Sequence, residues 1–177
     1  LSCFEIYGNS IVGYDDKCGE NVVIPEETKE GTKITSISEA FNGAIIKSVK
    51  LPESLKEIGS NAFASTLIEE ITIPNSVEFI GAYAFMDNYH LSKVTLSNTL
   101  KEIDSGAFAN TNIKTIELPN TLEKIYSYAF ANTKLENIII PNSVKKLSNV
   151  VFTNTKIKEV TIPSSVEEIE HDTFDED

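Results

Sequence analysis

Side chains able to do acid–base or nucleophilic chemistry are sparse in this 177-residue chain. Its only histidines, His90 and His171, stand 81 positions apart. If they lie in a stack of 22-residue coils, that separation is nearly four coils, or roughly 18 Å at the strand spacing of a sheet. A general base must come within hydrogen-bonding reach of the proton it takes, so the two cannot share a site. Serines abound, yet nothing selects one as a nucleophile beside a base and an orienting acid. The one group of metal-type ligands is Glu168, Glu170, Asp172 and Asp175. Oxygen ligands suit calcium, but a calcium loop alternates its acids around a glycine, and this segment has none. A solvated acidic end accounts for it. The chain reads as no enzyme, with no metal and no cofactor. Cys3 and Cys18, the only cysteines, are spaced to staple a terminal segment. Bonded, they would add about 3 kcal/mol by constraining the unfolded chain.

The elements that must position any binding residues come from a repeat. Phe41, Phe63, Phe85, Phe108, Phe130, Phe152 and Phe174 are spaced 22, 22, 23, 22, 22 and 22 residues apart. Each segment ending on a phenylalanine from Phe63 onward reads Ile/Leu-x-x-Ile/Val-x-Ile/Leu-Pro-x-Ser/Thr-Val/Leu-x-x-Ile/Leu-x-x-x-Ala-Phe, with few departures. Ser97 replaces a proline, Val151 and Thr173 replace alanines, and one residue is inserted near Asp87 to His90. Such a period with this opening predicts a leucine-rich-repeat solenoid. The expected form is a right-handed superhelix, mostly β with short turns or 3-10 segments, of about seven coils of 22–23 residues.

Residues two apart, such as Ile71 and Ile73, face one side of a strand. The proline that follows donates no backbone hydrogen bond and stops it; all six prolines of the chain occur at this step. The Ala-Phe pair then turns a small residue and a ring inward, which predicts a buried column of seven stacked rings. Ser54, Ser76, Thr99, Thr121, Ser143 and Ser165 form a row of hydroxyls able to satisfy backbone groups at the corner. The series Lys56, Glu78, Lys101, Glu123, Lys145, Glu167 alternates in charge. Stacked coils would set each charge between two opposite ones and discourage slippage by one coil, at a few tenths of a kcal/mol per pair.

Residues 1–44 follow other rules and read as an N-terminal cap with an irregular first coil, and 45–177 as six repeats of one continuous solenoid. Phe4 to Tyr7 and Ile11 to Tyr14 flank Gly8-Asn9-Ser10 as the arms of a β-hairpin. Val22-Val23-Ile24-Pro25 imitates the repeat strand. An atypical terminal unit shields the first open edge of a stack.

With these marks in place, the string is similar to the BspA-like leucine-rich repeat of bacterial-type surface proteins. The resemblance is clearest at Ile68 to Phe85 (IEEITIPNSVEFIGAYAF) and Ile113 to Phe130 (IKTIELPNTLEKIYSYAF). Where the family often carries cysteine a few residues after the phenylalanine, this chain has Thr66, Thr111, Thr133 and Thr155. The resemblance implies an extracellular or cell-surface setting and adhesion to protein partners. Two cysteines agree with an oxidising compartment.

Charge excludes other classes. Residues 45–166 are neutral, while 1–44 carry −5 and 167–177 carry −7. Nucleic acid needs a contiguous basic stripe, and no arginine occurs anywhere. No run approaches the ~18 apolar residues that would insert in a membrane as a helix. The chain reads as a mature or excised piece of a longer protein.

Binding has better material. Outward residues of the first strand in each repeat, which in leucine-rich repeats lines the concave side, are Lys50, then Glu70 and Thr72, then Lys93 and Thr95. Thr115 and Glu117, Asn137 and Ile139, and Glu159 continue the series. A second set is aromatic: Tyr83 and Tyr128 share one repeat position with Gly106 between, and Tyr89 lies in the insertion. Exposed rings can anchor partners or stack on sugars. They can equally shield coil edges. The expected function is a non-catalytic recognition or adhesion module whose partner is a protein, such as a host or matrix protein, or a glycan. The alternative is a structural spacer in a larger surface protein.

Overall fold

A computed structural model describes residues 3–148 and 150–169. The hairpin is β1 (Phe4–Tyr7) and β2 (Ser10–Tyr14), followed by a 3-10 turn at Asp16–Cys18, β3 (Asn21–Val23) and β4 (Ser36–Ile37). Three coils then give two strands each: β5 (Ser48–Lys50) and β6 (Glu57–Ile58), β7 (Glu70–Thr72) and β8 (Phe79–Ile80), β9 (Lys93–Thr95) and β10 (Glu102–Ile103). The later coils give one each, β11 (Lys124–Ile125), β12 (Lys146–Leu147) and β13 (Glu168–Ile169). The result is a β-solenoid of about seven turns with almost no helix. A Cys3–Cys18 disulfide ties the start of the hairpin to the 3-10 turn.

The column of rings forms as the spacing requires. Phe41, Phe63, Phe85, Phe108, Phe130 and Phe152 are buried and stack in sequence, with centroid separations of 4.9, 5.4, 5.3, 5.6 and 6.0 Å. Phe4 and Tyr14 close the N-terminal end, 6.5 and 5.0 Å from Phe41. Phe174, expected as a seventh ring, lies outside the described residues. Two turns per coil bring each ring inward, and both need a left-handed residue. The position two before the ring holds Asn61, Tyr83, Gly106 and Tyr128, and the position two after it holds Gly43, Asp87, Asn110 and Asn132, all at positive φ. Glycine, asparagine and aspartate take that conformation readily.

The continuous sheet is not where the repeat pattern places it. The pattern assigns it to the strand before the proline, whereas the nine-stranded sheet runs β1-β2-β4-β6-β8-β10-β11-β12-β13. Its repeat strands are the dipeptides after the corner, such as Glu102–Ile103 paired in parallel with Lys124–Ile125. The strands before the corner pair only as β3 with β5 and β7 with β9. A second side is laced through the ring corner: the backbone N–H groups of Phe63, Phe85 and Phe108 donate to Ala84, Ala107 and Ala129 of the next coil at 2.8 Å. Paired strands hold coils about 4.8 Å apart, while ring separations reach 6.0 Å.

Buried polar groups are satisfied by a row the pattern left unexplained. Thr111 and Thr133 donate their hydroxyls to the carbonyls of Phe108 and Phe130, each at 2.9 Å. In the coil with the inserted residue Asn88 takes this position, fully buried, and donates to the Phe63 and Phe85 carbonyls at 2.7 and 2.8 Å. Thr66 in turn donates to the Asn88 side chain. Of the six corner hydroxyls, Ser54, Thr99, Thr121 and Ser165 donate across to the preceding coil. The hydroxyl oxygens of Ser76 and Ser143 are buried with no partner among the described residues. Where Ser97 replaces proline, its hydroxyl accepts the Thr99 N–H at 3.1 Å and holds the turn instead. The expected charge ladder stacks through its backbone, with Lys101 N–H donating to Glu78 O and Glu123 N–H to Lys101 O, each at 2.8 Å. Among the described residues only Lys101–Glu123, at 3.9 Å, closes an ion pair within it. Closer pairs form one residue on, Glu102–Lys124 at 3.2 Å and Lys146–Glu168 at 3.4 Å.

Phe108→Ala removes the ring between two stacked neighbours and should lower unfolding free energy by about 3–5 kcal/mol in chemical denaturation. Glu26 gives a pH-dependent prediction. Its carboxylate accepts the backbone N–H groups of Glu53 and Ser54 at 2.8 and 3.1 Å, and the Glu53 bond, with help from Ser54 and Lys33, lowers its pKa. A carboxyl with a depressed folded-state pKa stabilises the fold above the ordinary glutamate range, and the effect fades as pH falls through that range. Glu26→Gln should therefore be less stable than the parent near neutrality, with the difference disappearing in urea titrations at acid pH.

Candidate functional site

The sides stitched by the sheet and the ring corner leave a third side, formed by the segments before each proline. Strand pairing on this side is interrupted between β5 and β7 and does not resume after β9, although the Lys134 N–H still donates to Ile113 O at 3.0 Å and the Lys156 N–H to Leu135 O at 2.9 Å. Residues 115–118 and 137–140 exchange no backbone hydrogen bonds with neighbouring coils. Of the inward residues here, Leu96, Ile116 and Leu118 are partly buried, while Val94, Ile138 and Ile140 stay buried. The outcome is an open groove of about 970 Å³.

All ten outward candidates of this side are exposed. Lys93, Thr95, Thr115, Glu117, Asn137 and Ile139 line the one groove. Glu159 joins Ile139 in an adjoining hollow of about 530 Å³. Lys50, Glu70 and Thr72 line neither; Glu70 instead faces Lys93 at 3.9 Å, both side chains largely in solvent. Such a pair contributes little. Ile139 is 85% exposed, an apolar residue held in water at the groove edge. Sequence reasoning missed Asn98 and Asn120, which also line the groove. They follow the corner step, where asparagine is an ordinary turn residue, and only the opening of the coils gives them a surface to face.

The aromatic candidates lie elsewhere, and none lines the groove. Tyr83 and Tyr128 are about half exposed and sit at φ 59° and 60°. A bulky residue takes that conformation only under constraint. For Tyr83 the constraint is visible: a Cβ at Gly106 would come 2.6 Å from its Cδ1 and 2.7 Å from its Cε1. The ring edge occupies the place of the missing side chain and covers the coil. Tyr89, 67% exposed, donates its hydroxyl to Asp87 at 3.4 Å. Lys146 lies over the Tyr126 ring at 5.8 Å. The hydrogen bond from Lys124 to Glu102, followed by their Coulombic attraction, raises the lysine pKa, so this face is already charge-paired.

His90 is exposed and makes no hydrogen bond to a hydroxyl or carboxylate, and no group of three or more His, Cys, Asp or Glu among the described residues could hold a metal ion. His171 and most of the C-terminal acidic cluster lie outside them. Among the described residues no helix is long and apolar enough to cross a membrane.

Residues 17–132 and 56–177 match the BspA type leucine rich repeat region, in six copies. The chain belongs to that family. No curated protein matches it. Among solved structures, a leucine-rich repeat protein from Bacteroides ovatus is 24% identical with a TM-score of 0.63, over 91% of this chain and 55% of its own. The leucine rich repeat protein of T. pallidum is 24% identical with a TM-score of 0.59, over 87% and 63%. A leucine rich cell surface protein from Faecalibacterium prausnitzii is 24% identical with a TM-score of 0.61, over 89% and 50%. This chain therefore spans between half and two thirds of these relatives. The likeness concerns the fold of the BspA type coils.

Gly106→Ala should displace Tyr83 and strain a residue at φ 63°, costing about 1 kcal/mol or more. Removing the ring as well, in a Tyr83→Ala/Gly106→Ala double variant, should restore part of the loss in a denaturation cycle.

Proposed function

We propose that this chain is a non-catalytic recognition module, exposed at a cell surface or secreted, that binds a protein or glycan partner through outward positions of its coils. The observation that carries this reading is the groove before the prolines, where one coil position presents Lys93, Thr115 and Asn137 in succession. Inward positions across the same coils are confined to aliphatic residues, Val94, Ile116 and Ile138. A repeat scaffold with a constant interior and a variable outer row can change its ligand without changing its fold. The disulfide supports an oxidising compartment, and one fold neighbour is described as a cell surface protein. A spacer that recognises nothing is the competing account, and it predicts that these positions are interchangeable.

A binding screen of the purified chain against matrix proteins and glycans tests the proposal, alongside a Lys93→Glu/Thr115→Lys/Ile139→Asp variant. All three residues are exposed, so the denaturation midpoint should stay within a few tenths of a kcal/mol of the parent. Partner affinity should fall at least tenfold. A chain that binds nothing, or a variant that binds as well as the parent, would overturn it in favour of the spacer.

A further inference from the structure

Two rows of asparagine run through the same coils and meet opposite fates. Two residues after each ring, Asn110 donates to Asp87 at 2.6 Å, Asn132 to Asn110 at 2.8 Å and Asn154 to Asn132 at 2.8 Å. That row is closed on itself. The other follows the corner step: Asn75, Asn98, Asn120 and Asn142. In the N-terminal coils this row stitches the stack, since Glu26 accepts the Glu53 N–H at 2.8 Å and the Asn75 side-chain oxygen accepts the Asn98 N–H at 3.0 Å. The stitch is absent between Glu53 and Asn75 and does not recur from Asn98 onward. The carboxamides of Asn98, Asn120 and Asn142 are exposed and bond to no described residue.

Those released carboxamides border the opening. Asn98 and Asn120 line the larger groove, and Asn120 and Asn142 the adjoining hollow. Thr95, Thr115 and Asn137 add further polar side chains that bond to no described residue. Between them lie the apolar surfaces of Leu118, Pro119, Ile139 and Pro141. The larger groove holds one lysine, Lys93, and one glutamate, Glu117, so it has no net charge. It contains no tyrosine, phenylalanine or tryptophan, and the chain has no arginine. Tryptophan, tyrosine and arginine are the residues that usually anchor a protein partner, and with no ring to stack on a sugar face the polar side chains must carry the recognition.

We infer that the ligand of this groove is a linear, uncharged polysaccharide. The inference rests on the recognition reading above and narrows its partner class. Each carboxamide offers two donors and an acceptor, and each hydroxyl a donor and acceptors. Sugar hydroxyls also donate and accept, whereas a charged polymer would leave its charges unmatched in a neutral groove. The same carboxamide recurs coil after coil, as a ligand with recurring hydroxyls requires, and a folded protein surface has no such period. The apolar ridge of Pro119, Ile139 and Pro141 faces the C–H surfaces of the sugar rings.

Calorimetric titration of the whole chain with cello- and chito-oligosaccharides of increasing length tests this, with oligogalacturonate as the charged comparison. Affinity should strengthen with length until the groove is spanned. Asn98→Ala and Asn120→Ala should each weaken it about fivefold to tenfold, the loss of one to two hydrogen bonds. Asn132→Ala, in the closed row, should leave it unchanged. Circular dichroism melts confirm that each variant is folded. Preference for oligogalacturonate, affinity independent of length, or an Asn120→Ala variant that binds as the parent does would each overturn the inference. If neutral oligosaccharides give no heat while a protein partner from the screen is lost in the Lys93, Thr115 and Ile139 variant, the recognition reading stands and the polysaccharide assignment falls. If neither binds, both fall.

Discussion

Stacking of phenylalanine on phenylalanine sets the geometry that everything else obeys. Six rings lie nearly parallel, within 10° of one another in each pair, at separations that grow from 4.9 to 6.0 Å along the column. Burying each ring is worth roughly 1.5–3 kcal/mol, and the ring also fixes where the neighbouring backbone can go. The Ala-Phe backbone must be close enough to hydrogen-bond the next coil. It must also turn through left-handed residues on either side, a conformation that glycine, asparagine and aspartate take readily and that Tyr83 and Tyr128 also adopt before the ring.

From that corner the coil has two other sides, and they are not equivalent. The dipeptides after the proline keep strand pairing through to β13. The segments before it pair only as β3 with β5 and β7 with β9, and not at all beyond β9. The unpaired stretch after β9 is where the groove lies. The opening exposes flanks of apolar residues that a closed stack would cover and frees side chains that elsewhere serve as stitches. The candidate binding surface is thus a by-product of how the stack is held together, with Ile116 and Leu118 half-covered at its floor.

Much of this was legible in the chain. The ring period named the interior, the prolines named the corners, and the two-residue alternation named the outward positions, all exposed in the structure. The threonine row after the rings was visible too, but its purpose was not. That Thr111 and Thr133 cap the carbonyl three residues back, and that Asn88 replaces threonine where one residue is inserted, follow from a bend no local pattern describes. Likewise the alternating charges were legible, yet their side chains pair mainly one position on, because register within the sheet decides which groups face each other.

What the sequence by itself determined is which side chains point inward and where each coil turns, because both depend on residue type and spacing within a single repeat. Which side of the coils is zipped and which is open depended on tertiary structure. Pairing between coils reflects spacing and twist accumulated over the whole stack, and residues 22 apart in the chain can look alike while one pair of coils bonds and the next does not. Asn75 and Asn120 occupy the same place in the pattern; only the first holds a neighbouring backbone N–H, and only the second lines the groove.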